Sequence, residues 1–197
     1  SGARVISWSM KVVDISVGKI GVANSLGEKL PESGLDAVLV AEPRLREVIL
    51  EGEISGIAAF AASVAALSES CDYPLLCGCL TRFGSMRHVS VMTFASGRLA
   101  DTADRTLNLS AEPYCEGDTI KILRLKRFDA GLLVDTDLLL AKNWQKIAPR
   151  CDAVIGIAKC GADVDFGYVP TLASLFGKPY AAAFSGGEIL WGTPPAE

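Results

Sequence analysis

The chain has 197 residues, half of them hydrophobic and 21% charged. That suits one domain, with enough apolar surface to exclude disorder and enough length to exclude a disulfide-stapled mini-protein. The formal net charge is -4 and no dense basic run occurs, which excludes nucleic acid as an expected partner. His88 is the single histidine, so multi-histidine metal sites and most histidine relays are excluded. No apolar run is long enough to span a bilayer, and no secretory leader is read, so no membrane is expected. The six cysteines sit among apolar residues, as in a cytoplasmic protein with reduced thiols. Cys77-Gly-Cys79 lacks a second pair at zinc spacing, so neither a metal nor another cofactor is called for.

In chain order, Val5 to Val13 reads as a first strand. Gly18 to Leu30 carries a helical stripe at Ile20, Val22, Ala23, Leu26 and Leu30. Asp36 to Val40 is a buried strand leading to Glu42, where Pro43 forces an exit from regular structure. Ile54 to Leu67 is an alanine-rich helix, and Pro74 to Leu80 is a strand covered on both faces. His88 to Phe94 and Thr119 to Leu125 alternate as strands, with Lys121 to Arg127 an exposed face. Phe128 to Thr136 is a core strand. Leu138 to Ile147 is a helix with Asp137 as its N-cap. Asp152 to Ala158 is a strand, Val169 to Phe176 a helix closed by Gly177, and Tyr180 to Phe184 a further strand. Ile189 to Trp191 forms at most one short strand more. Helices and strands alternate at both ends around a run of strands, the pattern of an α/β layered sandwich.

Ligands of α/β sheets collect beyond the carboxyl ends of strands. Three strand ends carry charge: Glu42, then Asp135 with Asp137, then Lys159 before Cys160. Taken alone, each reads equally as a helix cap or a solvated turn. His88 reads as a strand-end residue, and Tyr114 and Trp144 as core or interface aromatics.

The order of these segments resembles the nitrilase, or carbon–nitrogen hydrolase, superfamily. Asp36-Ala-Val-Leu-Val-Ala-Glu42 is similar to the family's strand ending in its glutamate. Asp104-Arg105-Thr106-Leu107 is similar to the stretch that holds its lysine. Glu112-Pro-Tyr-Cys-Glu-Gly117-Asp118 resembles its glutamate, aromatic pair and Gly-Asp turn. Gly131-Leu-Leu-Val-Asp135-Thr-Asp137 resembles its nucleophile strand, and Gly177-Lys-Pro-Tyr180 a later helix-to-strand step.

The resemblance implies a single-domain α-β-β-α sandwich over 1–197, short at its C-terminal end, that pairs into homodimers or larger homo-oligomers. It implies hydrolysis of an amide or nitrile by a glutamate base, a cysteine nucleophile and a lysine. Carried over, Glu42 is the base, Arg105 stands at the lysine position and Asp135 at the cysteine position. Glu112, Thr136 and Cys160 are assigned to substrate contact.

A carboxylate is a far weaker nucleophile than a thiolate, and Arg105 between two carboxylates makes a buried Glu–Arg–Asp charge cluster. Four readings stay open. The chain is a non-hydrolytic relative with a small-molecule pocket, an enzyme of altered chemistry, an enzyme with its thiol relocated to Cys160, or an oligomeric structural protein of the same fold.

Overall fold

The computed structural model describes residues 10–27, 29–31, 33–50, 55–109, 112–159 and 164–195, and the side chains of these except 55–58. The elements run β1 (Lys11–Asp14), β2 (Lys19–Ala23), β3 (Ala37–Val40), β4 (Arg46–Ile49), α1 (Ser55–Glu69), β5 (Leu75–Phe83), β6 (Met86–Ala95) and β7 (Arg98–Asp104). They continue with β8 (Lys121–Arg124), β9 (Asp129–Val134), α2 (Ala141–Ile147), β10 (Ala153–Ala158), α3 (Val169–Leu175), β11 (Tyr180–Phe184) and β12 (Ile189–Gly192). Residues 5–9 of the expected first strand lie outside the described residues.

Two sheets form. One runs β1-β2-β3-β5-β6-β7, with β4 also paired to β5; the other runs β12-β11-β10-β9-β8. One edge of β5 is shared in succession: β3 takes Leu75 to Cys77, and β4 takes Cys79 to Arg82. Inward side chains of both sheets, among them Ile20, Leu39, Leu76, Val91, Leu132, Val134, Ile155 and Ala183, make the core between them. Phe60 and Val64 of α1 cover the outer face of the first sheet. Trp144 and Ile147 of α2 and Val169 and Ala173 of α3 cover the outer face of the second. The layers are therefore α-β-β-α, as expected. The sheets approach closely where Gly78 faces β10: a Cβ there would come within 2.6 Å of the Ile157 side chain.

The structure corrects two expectations. Gly18 to Leu30 is not a helix. Ile20 and Val22 point into the inter-sheet core and Ala23 toward α1, so β2 is buried on both faces. A strand apolar on both faces carries apolar residues at helical spacing by default. The expected exit at Pro43 is present, and β4 begins three residues later. The segment Leu138 to Ile147 is also not one helix. A 3-10 turn over Asp135–Leu139 comes first, and Leu140 is extended (φ -99°, ψ 111°) before α2 starts. Strand β7 carries no clear alternation, and its pairing to β6 shifts at Thr93/Phe94. In contrast, Gly177 closes α3 at φ +64°, and Ile189 to Trp191 does pair, antiparallel to β11.

The amino ends of β3 and β9 are tied across the sandwich. Arg127, in the β8–β9 turn, donates to both oxygens of Asp36, from Nε at 2.8 Å and from Nη2 at 2.5 Å. The Lys19 amide donates to the same carboxylate at 2.8 Å. Gly18 leaves room for this: a Cβ there would sit 2.5 Å from Asp36 Oδ2. Burial pushes the Asp36 carboxyl up, but the Arg127 and Lys19 hydrogen bonds and the nearby cations outweigh it and hold the group below its ordinary value. A depressed carboxyl contributes stability above its ordinary value and loses it as pH falls through its folded value. Asp36→Asn should therefore cost about 1–2 kcal/mol at neutral pH. In urea titrations the gap to the unmodified protein should close as pH is lowered below about 4.

Candidate functional site

At the carboxyl end of β9 the chain turns sharply, and Asp135 takes φ +53°. Asp and Asn tolerate that region better than most residues. The turn sends the Asp135 carboxylate into the molecule, where both oxygens are occupied. Oδ2 accepts from Arg105 Nη1 at 2.5 Å, and Oδ1 accepts from the Lys159 amide at 3.0 Å, just past β10. The pair is sealed, with side chains 1% and 3% exposed.

Arg105 follows β7. Its backbone N–H donates to Val89 O at 2.7 Å and its carbonyl accepts from the Gly117 amide at 2.8 Å. Its Nη2 donates to Asn108 Oδ1 at 3.1 Å, its Nη1 lies 3.9 Å from Glu112 Oε2, and its guanidinium sits 5.6 Å from the centre of the Tyr114 ring. Its Nε is buried with no hydrogen-bond partner among the described residues.

Lys159 closes the cluster from the other side. Its Nζ donates to both oxygens of Glu112, and lies 5.7 Å from the same Tyr114 ring. The order Asp135, Arg105, Glu112, Lys159 alternates in sign along the chain of ion pairs, with both cations against the Tyr114 ring. The outer pair is more open, at 18% for Lys159 and 37% for Glu112.

The next two residues fasten the loop that carries Arg105. Thr136 Oγ1 donates to Leu107 O at 2.6 Å. Asp137 accepts from the Thr106 amide at 2.8 Å, Thr106 Oγ1 at 2.9 Å and the Leu107 amide at 3.1 Å. Asp137 is thus not the expected cap of the helix after it; α2 has no side-chain cap, and Asn143 and Trp144 donate back to the turn instead. Burial pushes the Asp137 carboxyl up to about 6, against the hydrogen bonds of Thr106 and Leu107 and the charge of Arg105.

Of the residues singled out in the sequence, the structure brings together Arg105, Asp135 and Glu112, with Thr136 beside them. Glu42 makes its ion pair with Arg46, 3.5 Å away, and no ion pair or hydrogen bond joins it to Arg105 or Asp135. The carboxylate that completes the Glu–Arg–Asp cluster is Glu112. Cys160 lies outside the described residues. Lys159 was visible only as a strand-end charge, and nothing in its spacing tied it to Glu112. Burial raises the thiols of Cys77 and Cys151 and pushes Cys79 up to about 12, so these three are held as neutral thiols.

This architecture, two facing sheets with helices outside, is the nitrilase-type fold. An amidase from Nesterenkonia sp. superposes with a TM-score of 0.66 over 91% of this chain and 81% of that one, at 13% identity. A mutant of the Nesterenkonia AN1 amidase from the nitrilase superfamily gives 0.61 at 13% identity, covering 77% of this chain and 63% of that one, less than two thirds. Saccharomyces cerevisiae Nit3, a member of branch 10 of that superfamily, gives 0.62 at 13% identity over 83% and 74%. No protein-family model and no curated protein sequence matches the chain. At these identities the likeness is one of fold.

Removing one member of a buried ion pair strands the other, which costs more than removing both. Arg105→Met and Asp135→Asn should each lower unfolding stability by about 3–5 kcal/mol, and the double variant should recover most of that loss. Chemical denaturation of the four proteins measures it. A raised carboxyl contributes stability below its ordinary value and loses it as pH rises through its folded value. Relative to Asp137→Asn, the unmodified protein should lose about 2–3 kcal/mol between about pH 4 and about pH 7, with most of the loss complete by about pH 6 in melts across that range.

Proposed function

We propose that this is a carbon–nitrogen-hydrolase-like protein that holds a small amide- or nitrile-type molecule and has lost the cysteine-dependent reaction. The observation that carries the reading is the state of Asp135. It stands where the resemblance puts a nucleophile, yet both its oxygens are engaged and it is shut from solvent. A carboxylate held by a guanidinium and a backbone amide and shut from solvent has its charge already engaged, which makes it a poor nucleophile toward a substrate carbon. Arg105, in the lysine position, is spent on Asp135, Asn108 and Glu112. Glu42 is the one family role kept in kind, and Glu112, Thr136 and Cys160 remain the ligand-contact assignments. Were the protein active, its class would be hydrolysis of C–N bonds other than peptide bonds.

A second reading is an oligomeric structural protein of the same fold. Tyr168, Leu175 and Trp191 favour it, three large exposed apolar side chains on and beside α3 and β12, which touch. Such a patch suits a homodimer or higher homo-oligomer. A cytoplasmic setting agrees with the five described cysteines, all free. Among the described residues, no helix is long and apolar enough to cross a membrane.

Incubation with simple amides, nitriles and carbamoyl compounds tests the main reading. No turnover is expected. Turnover abolished by Asp135→Ala or by Cys160→Ser would overturn it and name the residue responsible. Sedimentation at rising concentration tests the second reading.

A further inference from the structure

The two ion pairs at the ends of β9 and β10 are held differently. Asp135 and Arg105 are sealed, whereas Lys159 and Glu112 are partly open to solvent. Both cations are anchored independently of Glu112. Asp135 holds Arg105 through Nη1 and the Lys159 backbone through its amide, and Asn108 Oδ1 accepts from Arg105 Nη2. The Glu112 backbone is pinned apart from its side chain: its carbonyl accepts from the Tyr114 amide at 2.9 Å and from Asn108 Nδ2 at 2.7 Å. Rotation about the Glu112 side-chain bonds therefore withdraws the carboxylate while the loop after β7 stays in place.

The place it leaves is already shaped for a carboxylate. Lys159 Nζ donates to both Glu112 oxygens from one side, and Arg105 Nη1 lies 3.9 Å from Oε2 on the other. The Tyr114 ring backs both cations, at 5.6 Å and 5.7 Å, an arrangement that steadies positive charge. Arg105 Nε has no hydrogen-bond partner among the described residues, so the cationic side has a donor to spare. With Glu112 withdrawn, one positive charge stands uncompensated in a half-buried place, which a monoanion answers. We infer that Glu112 is the protein's own stand-in for a ligand carboxylate. A small amide that carries a carboxylate seats that group between Lys159 and Arg105, and Glu112 meets it as the group it displaces. The inference rests on the reading above that this end of the sandwich holds a small amide.

Melting curves of the full chain titrated with propionamide, propionate or succinamate, at ionic strength matched with sodium chloride, test it. Succinamate should bind at least about tenfold more tightly than propionamide. Glu112→Ala removes the internal competitor and should tighten propionate and succinamate by about tenfold or more, leaving propionamide unchanged. Glu112→Gln, which keeps the side chain's size, should act in the same direction to a smaller degree. Lys159→Met should abolish the preference for succinamate over propionamide. Propionamide bound as tightly as succinamate would overturn the inference and leave the amide reading standing. Failure of both Glu112 variants to tighten propionate would overturn it too. No shift with any of the three probes in any variant would overturn the amide reading as well.

Discussion

The buried ion pair between Arg105 and Asp135 organises everything around it. It joins the end of β7 in one sheet to the end of β9 in the other, and through the Lys159 amide it also reaches the end of β10. Charges withdrawn from water are tolerated only where partners occupy them. That requirement accounts for the neighbours: Asn108 on one Arg105 nitrogen, Glu112 close to another, Tyr114 under the guanidinium. The positive φ at Asp135 belongs to the same account, since the turn is what swings the carboxylate inward. Thr136 and Asp137 then fix the loop that delivers Arg105, so three consecutive residues serve one junction.

The opposite end of the sandwich is tied differently. Asp36 and Arg127 also pair across the sheets, but the Arg127 side chain is 55% exposed and its partner leans on the Lys19 amide as well. Screening makes such a pair a modest contributor. The two ends therefore differ in kind. One is a partly solvated clasp. The other is a sealed electrostatic junction at the strand ends, where α/β sheets keep their ligands. Chemistry at that second end must work around a site already filled by the protein's own charges.

Much of the fold was legible because apolar strands and their turn residues are local signals. The strands at Asp36 to Val40, Pro74 to Leu80 and Asp152 to Ala158, and the cap at Gly177, follow from short-range pattern. Strand β2 was not legible, because burial on both faces erases the alternation that separates strand from helix. Asp137 misled for a related reason. An Asp before an apolar run is a good cap by propensity, but here long-range hydrogen bonds to Thr106 and Leu107 claim it. The site was half legible. Order along the chain brought Arg105 and Asp135 forward as partners, while the third member depended on whether Glu42, after β3, or Glu112, after β7, reaches the guanidinium. Only tertiary structure decides that for Glu112 over Glu42.

The central claim is that neither Asp135, at the end of β9, nor Cys160 attacks a substrate carbon. It is tested most directly by intact-mass measurement of the protein, quenched in acid during incubation with an excess of a reactive small amide or nitrile. The account predicts the unmodified mass alone. A covalent acyl adduct that peptide mapping places on Asp135, or on Cys160, would contradict it.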